Sequence, residues 1–218
     1  MKKRLSIAIL LFILLTTITS KKKIFIANFN LKKIEIENNF LLKDNDIKKS
    51  LKSIYNKNLL TLNYKEIEQA LMQNSFIDSF DAKKKYPRTL KIKVFEKKPI
   101  AILLNKKKKF YLSEKIDLIE FKDLEDYKNL PYVFGDKDKF HSLYQDLERI
   151  NFPFNLIKNY IYFESNRWDL KTINKKTIKL PDKNYIKSLQ NYLNIYNKDS
   201  FAKFTIFDYR IEDQLVLK

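Results

Sequence analysis

The residues able to carry out chemistry are few in this chain of 218 residues, and their spacing does not build a catalytic site. The single histidine, His141, is followed directly by Ser142 in a predicted helix. Adjacent side chains of a helix point in different directions, so this pair is not a nucleophile with its base. The chain has no cysteine and one glycine, which excludes zinc fingers, thiol nucleophiles and glycine-rich phosphate loops. The residues therefore predict no catalytic constellation and no cofactor site.

The carboxylates also lack the spacing of a metal site. Asp78 and Asp81 are three residues apart in a predicted strand, where successive side chains alternate between faces, so they point to opposite sides. Asp123, Glu125 and Asp126 are typical of a polar turn. No metal is therefore expected.

Lysine dominates the charge of the chain, which has 44 lysines and arginines against 26 acidic residues and a formal net charge of +18. Phosphates are possible ligands of the runs Lys83–Lys85 and Lys106–Lys109, and Trp168 beside Arg167 is able to stack on a base or sugar. No aromatic residues alternate with the lysine runs, as single-stranded nucleic acid requires, so nucleic acid is not a predicted partner. The lysine excess indicates either an AT-rich coding background with a solvated surface or a functional basic face.

The N-terminal segment predicts a membrane anchor. A basic head, Met1–Arg4, precedes the uncharged stretch Leu5–Ser20, and Lys21–Lys23 follow it. Sixteen helical residues span about 24 Å, short of a hydrocarbon core of about 30 Å but viable where flanking lysines snorkel. The alternative is a cleaved signal peptide, although the residues before Lys21 make a poor cleavage site. Under either interpretation, residues 24–218 lie outside the cytoplasm.

Hydrophobic periodicity divides the rest of the chain into two small domains that meet near residue 100. Residues 24–99 indicate the order β-α-α-β-β, with the clearest strand at Thr89–Glu96, where apolar and lysine side chains alternate. Asn63 and Glu66 have the spacing of a capping box at the start of the second helix.

The remaining residues, 100–218, predict a mixed, β-rich domain. Two amphipathic helices are expected, one around Phe140–Leu147 and one that begins at Pro181. A hairpin is expected around Asn174–Lys176. The predicted fold class is therefore α+β.

The segment YPRTLKIKVFEKKPIA, from Tyr86 to Ala101, resembles the last strand of a POTRA domain in the form found in the FtsQ/DivIB cell-division family. Later segments resemble that family's β-domain: Leu130–Pro131 with Gly135, Arg167–Leu170, Ile178–Pro181 and Ile206–Arg210. Four of the five prolines, the glycine and the tryptophan fall on these matches. The resemblance implies a short cytoplasmic head (1–4), a transmembrane helix (5–20), a POTRA domain (24–99) and a β-domain (100–218).

Two turns depart from the family pattern. The family has a glycine after the first β-domain strand, where this chain has Tyr111–Ile116, and another in the hairpin near Lys175. These turns must form without glycine, and Asn174 is expected to accept the positive φ of the hairpin.

The resemblance implies a non-catalytic, bitopic protein of the divisome. It places the N-terminus in the cytoplasm, one helix in the inner membrane and the main body in the periplasm. The implied partners are FtsB-like and FtsL-like membrane proteins. Other divisome membrane proteins would contact the POTRA domain. In this role the chain would link early and late proteins of septum formation. One alternative is a POTRA scaffold of an outer-membrane assembly or secretion system. Another is a secreted basic enzyme or a basic protein that binds an anionic cell-wall polymer.

The family's partner-binding strand falls after Asp208–Arg210, at the C-terminal end of the sequence. Since no residue follows Lys218, this strand is expected to have a free edge, which is a template for strand addition. Leu215 and Leu217 are expected to offer one apolar face, and Glu212 and Asp213 to pair with cations of the partner or to set the register. The predicted partner-binding residues are Ile211, Glu212, Asp213, Gln214, Leu215, Val216, Leu217 and Lys218.

Overall fold

A computed structural model describes residues 2–16, 29–212 and 214–218 of the chain. It divides into two compact units, Met1–Lys97 and Lys98–Lys218. The predicted α+β class is confirmed, with a β-α-α-β-β order in the first unit and a β-rich second unit.

The N-terminal helix begins before the predicted transmembrane segment. Helix α1 covers Lys2–Thr16, so it includes residues 2–4 of the predicted head, while Met1 and residues 17–20 lie outside the described residues. In the ranges that the structure describes, no helix has the length and apolar character needed to cross a membrane. The predicted transmembrane helix over Leu5–Ser20 is therefore wrong. Fifteen helical residues rise about 22 Å, whereas a hydrocarbon core is about 30 Å thick.

The first unit packs two helices on one face of a three-stranded sheet. Its strands are β1 (Lys33–Glu37), β2 (Ile77–Lys85) and β3 (Thr89–Glu96). The strand order is β1-β3-β2, with β3 parallel to β1 and antiparallel to β2. Leu90, Ile92 and Val94 of β3 are fully buried, as their alternation with lysines predicts. The elements after α1 are β1 (Lys33–Glu37), α2 (Asp44–Ser50), a 3-10 helix (Leu51–Ile54), α3 (Tyr64–Leu71), β2 (Ile77–Lys85) and β3 (Thr89–Glu96).

The predicted capping box at the start of α3 is confirmed. The Asn63 side-chain oxygen accepts a hydrogen bond of 2.8 Å from the Glu66 backbone N–H, and the Glu66 carboxylate accepts one of 3.4 Å from the Asn63 backbone N–H. Because these bonds satisfy N–H groups that the first turn leaves open, they fix where the helix begins.

The second unit is built on a nine-stranded mixed sheet in the order β12-β11-β10-β9-β8-β7-β4-β5-β6. Strands β4–β8 are Pro99–Asn105, Lys108–Ser113, Leu118–Glu120, Tyr132–Phe134 and Ile157–Phe163. Strands β9–β12 are Arg167–Thr172, Thr177–Lys179, Ile206–Asp208 and Val216–Leu217. The helices are α4 (Lys137–Arg149) and α5 (Tyr185–Ile195), with 3-10 turns at Glu125–Tyr127, Phe154–Leu156 and Asp199–Phe201.

Both helices of the second unit contribute to one hydrophobic core. Leu143 and Leu147 of α4 and Leu189 of α5 are fully buried in it. Helix α5 begins at Tyr185 rather than at the predicted Pro181. The residue before it, Asn184, has a left-handed backbone conformation, which a right-handed helix cannot include.

The two turns that lack the family glycine form with other residues at positive φ. Ile116 has a φ of +61° in the β5–β6 connection, an uncommon conformation for a β-branched residue. Its side chain is buried in the core, and the Ser113 hydroxyl accepts hydrogen bonds from the backbone N–H groups of Lys115 and Asp117. In the β9–β10 hairpin, Lys175 takes the positive φ, so the expectation for Asn174 is wrong.

Candidate partner-binding site

The C-terminal strand β12 lies at one edge of the nine-stranded sheet. It pairs in antiparallel orientation with β11, where Leu217 is opposite Phe207 and Val216 is opposite Asp208. Within the described residues, no strand lies on its other side. Such an edge exposes backbone groups that are able to pair with a further strand.

Hydrogen bonds along β11 decide which backbone groups of β12 remain available. The Lys218 N–H donates to the Ile206 carbonyl at 3.1 Å, and the Ile206 N–H donates to the Lys218 carbonyl at 3.0 Å. In an antiparallel ladder such hydrogen-bonded pairs alternate with pairs whose N–H and C=O groups point away from each other. The pair Phe207–Leu217 is of the second kind, so the Leu217 N–H and C=O face the open edge.

The side chains of the strand face opposite sides of the sheet. Leu215 and Leu217 are half-buried and pack against the unit's own core. Val216 is also half-buried, but its side chain lies on the other face, since side chains alternate along a strand. The two leucines therefore serve the fold, and the open edge offers a backbone ladder together with the face that bears Val216.

A row of charged residues crosses that second face of the sheet toward the edge. The register places Asp169 of β9 beside Lys179 of β10, Lys179 beside Asp208 of β11, and Asp208 beside Val216 of β12. Opposite charges in adjacent strands favour this register. The last charged residue of the row, Asp208, therefore lies beside Val216 of the edge strand β12.

Asp208 is held by Arg210, two residues further along the chain. The Arg210 guanidinium donates to both carboxylate oxygens, from Nε at 2.8 Å and from Nη2 at 2.6 Å, and the Arg210 backbone N–H donates a third bond at 3.2 Å. These hydrogen bonds hold the pKa of Asp208 below its usual value and raise the pKa of Arg210. Because Asp208 is buried and ionised, the pair fixes the chain where it leaves β11.

Asp169 has a different environment, although it lies in the same row. Its carboxylate is buried, and burial raises its pKa, while the nearby charges of Arg167, Lys179 and Arg210 act in the opposite direction. Its Oδ1 atom has no hydrogen-bond partner. The row therefore contains one carboxylate that is paired and one that is only partly compensated.

The residues that precede β12 are exposed. Ile211 has 54% of its surface accessible, Glu212 and Gln214 are also exposed, and the Gln214 N–H donates to the Ile211 carbonyl at 3.2 Å. Asp213 lies outside the described residues. The predicted segment thus consists of an exposed turn that leads into the edge strand.

The other side chains considered for chemistry do not assemble into a site. His141 is half-buried on α4, and no group of three or more His, Asp or Glu side chains in the described ranges is placed to hold a metal ion. Trp168 is buried in the core, with its ring 4.9 Å from that of Tyr162. The indole is therefore a packing residue of the second unit.

Sequence reasoning missed the charged row and the role of Arg210. Asp169, Lys179, Asp208 and Arg210 all lie in segments that resemble the family pattern, but their spacing along the chain does not reveal that three strands bring them side by side. Matching polar residues at the same position of consecutive predicted strands is the signal that points to such a row.

The fold defines a two-unit protein whose first unit has POTRA architecture, and the family comparison agrees. Residues 29–97 match the family model described as "POTRA domain, FtsQ-type". Over a longer stretch, 172 residues of the chain are 29% identical to the cell division protein FtsQ of Rickettsia bellii, covering 78% of this chain and 64% of that protein. FtsQ of Rickettsia typhi is 28% identical over 174 residues, covering 79% of this chain and 65% of that protein. The chain thus spans slightly less than two thirds of the length of these relatives.

These matches confirm the resemblance to the FtsQ/DivIB cell-division family. A solved structure of the major extracytoplasmic domain of DivIB from Geobacillus stearothermophilus is also similar, with 15% identity and a TM-score of 0.34, over 45% of this chain and 89% of that one.

Proposed function

We propose that this chain is a non-catalytic divisome protein that docks an FtsB-like partner on the open edge of β12. The observation that carries the proposal is the outward-facing backbone of Leu217 at the end of a nine-stranded sheet. A partner strand that pairs there would extend the sheet by one strand, the mode of recognition known as β-augmentation. An FtsL-like protein would join through the same complex.

Main-chain hydrogen bonds would provide affinity, and side chains beside Val216 would provide specificity. The partner residue nearest Val216 would lie on the face of the sheet that bears Asp208 and Lys179. A charged side chain at that partner position would extend the row of charges by one strand. The exposed Glu212, one turn before the strand, is placed to pair with a cation of the partner and to set the register.

The wider role follows from the family resemblance. We propose that the POTRA domain, residues 24–99, contacts other divisome membrane proteins, that the β-domain, residues 100–218, carries the edge-strand site, and that both act on the periplasmic side of the inner membrane. In this role the chain links early and late proteins of septum formation. Protease digestion of intact and of lysed spheroplasts tests the location, because a cytoplasmic body would be cleaved only after lysis.

The docking site is tested by capture of the FtsB-like protein with the full chain and two variants at one position. Leu217→Pro removes an N–H that faces the open edge, and proline is tolerated at an edge strand where its missing N–H faces outward. Leu217→Ala retains that N–H and controls for the loss of leucine packing. We expect Leu217→Pro to abolish capture and Leu217→Ala to retain it.

Val216 is a less suitable position, because its N–H faces β11 and Val216→Pro breaks the domain's own ladder. The fluorescence of the buried Trp168 monitors folding of the second unit in each variant. Parental capture by a folded Leu217→Pro variant would transfer the docking role to the POTRA domain.

A further inference from the structure

We propose that one end of the POTRA domain binds the anionic surface of a phospholipid membrane. This basic end consists of three segments, residues 29–33, 56–60 and 83–88. The basic end belongs to the first unit and shares no residue with the proposed docking edge of the second unit.

Backbone hydrogen bonds join the three segments of the basic end. The Leu31 N–H donates to the Lys57 carbonyl at 2.9 Å, and the Lys32 N–H donates to the Arg88 carbonyl at 2.9 Å. The Lys84 side chain reaches the Leu60 carbonyl at 3.4 Å. Segments that are distant in sequence thus form one continuous surface at the end of the sheet where β2 ends and β3 begins.

The charge of the POTRA domain is concentrated at this end. The segments 29–33, 56–60 and 83–88 contain seven lysines and arginines and no acidic residue. The segments at the opposite end of the sheet, 37–44, 72–78 and 94–97, contain two cations and four acidic residues. A uniform surplus of lysine would not produce this polarity, so the lysine-rich composition alone does not explain the basic end.

Three of the seven cations of the basic end pair with carboxylates that lie just outside its segments. Glu35 accepts hydrogen bonds from Lys33 and Lys85, both at 2.8 Å, and these bonds lower its pKa to about 2. Glu66 pairs with Lys57. Lys83 lies directly opposite Lys91 in the sheet, a like-charge pairing that disfavours the fold. A fold that places lysines side by side at one end is suited to an anionic surface.

Exposed apolar side chains among the cations favour a lipid surface over a soluble polyanion. Leu60 has 46% of its surface exposed and Tyr86 has 54%. The Tyr86 ring packs edge-on against Phe29, with 5.9 Å between ring centroids. Aromatic and aliphatic side chains flanked by lysines insert at the headgroup boundary of a bilayer, whereas a dissolved polyphosphate contacts only the charges.

The experiment uses the full chain with one fluorescent label, because the natural sequence has no cysteine to interfere. Thr61→Cys places an environment-sensitive dye beside Leu60, and Gln73→Cys places the same dye at the opposite end of the domain; both positions are exposed. The probes are vesicles of phosphatidylcholine with and without phosphatidylglycerol, and soluble polyphosphate. We expect the dye at residue 61, and not at residue 73, to move to an apolar environment only with phosphatidylglycerol vesicles.

Charge-removing variants then test which residues carry the binding. Each lysine near an anionic surface contributes about fivefold to binding, so Lys83→Gln, Lys84→Gln and Lys85→Gln together should weaken the response at residue 61 by about 100-fold. The matched control, Lys48→Gln, Lys49→Gln and Lys52→Gln, removes the same charge from α2 and the 3-10 helix that follows it. This control variant should retain the parental response of the dye at residue 61. Equal responses to neutral and anionic vesicles, equal responses of the two triple variants, or a response to polyphosphate alone would each overturn the proposal.

Discussion

The Arg210 guanidinium donates two hydrogen bonds, of 2.8 and 2.6 Å, to the carboxylate of Asp208. This pair lies at the end of β11, just before the segment that leads to the edge strand β12. The pair joins two features of the second unit. Asp208 belongs to the charged row that crosses β9, β10 and β11, and Arg210 begins the segment that leads to β12. The geometry of the proposed docking edge therefore depends on this ion pair.

Replacing Asp208 by asparagine should destabilise the second unit. We expect Asp208→Asn to lower the free energy of unfolding by about 1–2 kcal/mol at neutral pH, since charge-assisted hydrogen bonds are lost but Arg210 is partly exposed. Urea unfolding followed by Trp168 fluorescence measures this, because the single tryptophan lies in the second unit.

The same variant should show a defined dependence on pH. The pKa of Asp208 is lower in the folded chain than in the unfolded chain, so its contribution to stability is present above the unfolded pKa of about 3.9 and is lost as the pH falls through the folded pKa. The difference between parent and Asp208→Asn should therefore be largest near neutral pH and shrink in acid. A difference that is constant between neutral and acidic pH would contradict the ion pair.

Asp169→Asn should change the free energy of unfolding in the opposite direction from Asp208→Asn. Burial raises the pKa of Asp169, so the stability linked to this group is present below its unfolded pKa and is lost as the pH rises through its folded pKa. The neutral amide avoids this loss, and the variant should equal the parent in acid and exceed it at neutral pH. Trp168 fluorescence in urea across the same pH range checks this. A variant that is less stable than the parent at neutral pH would mean that the neighbouring cations outweigh burial.

Gly135→Ala should destabilise the second unit for a steric reason. Gly135 has a φ of +145°, and a Cβ at this position would lie 2.5 Å from the Tyr162 Cβ. We expect a loss of about 1–3 kcal/mol, because neither backbone can move away without disturbing the β7–β8 pairing. The urea midpoint of Trp168 fluorescence measures it.

Combination with Tyr162→Ala distinguishes this contact from a general loss of packing. The alanine at residue 162 retains the Cβ that Gly135 approaches, so it should not rescue Gly135→Ala. Recovery of stability in the double variant would show that the aromatic ring, rather than the Cβ, imposes the glycine.

Ile92→Asp should unfold the POTRA domain. Ile92 is fully buried in the centre of β3, and an unpaired carboxylate there should cost several kcal/mol, on the order of 4. Lys83→Asp is the matched control, because it introduces the same residue on the outer face and opposite Lys91, where it should be neutral or slightly stabilising. Hydrogen exchange resolved by peptide measures the first unit separately. Native protection of the β3 amides in Ile92→Asp would contradict the burial of the residue 92 side chain in the POTRA core.

Local signals in the sequence were sufficient for the POTRA domain. The alternation of Leu90, Ile92 and Val94 with lysines identifies a buried strand face, and the spacing of Asn63 and Glu66 identifies a helix start. Both signals depend on residues within one turn or one strand of each other, so no distant contact is needed to interpret them. The N-terminal helix shows the limit of this approach, since it begins at Lys2, inside the charged head, and not at the start of the apolar run.

Turn geometry was less predictable. Lys175 rather than Asn174 takes the positive φ of the β9–β10 hairpin, and the β-branched Ile116 takes it in the β5–β6 connection. Residue preference favours asparagine and glycine at such positions, but the pairing of the flanking strands fixes which residue occupies them. Core packing of Ile116 then offsets the strained backbone.

The sequence by itself determined the α+β class and the POTRA elements, because hydrophobic period and capping residues act over short distances. The assignment of residues 211–218 to partner binding rests on the family resemblance and stays a prediction. Only the tertiary structure decided that Asp169, Lys179 and Asp208 form one row across three strands. It also decided that the Leu217 backbone faces the open edge while its side chain packs on the core. In the POTRA domain, it brought the three basic segments together at one end. Strand register and sheet order set these relationships. They arise from pairing between residues far apart in the chain, which no local pattern encodes.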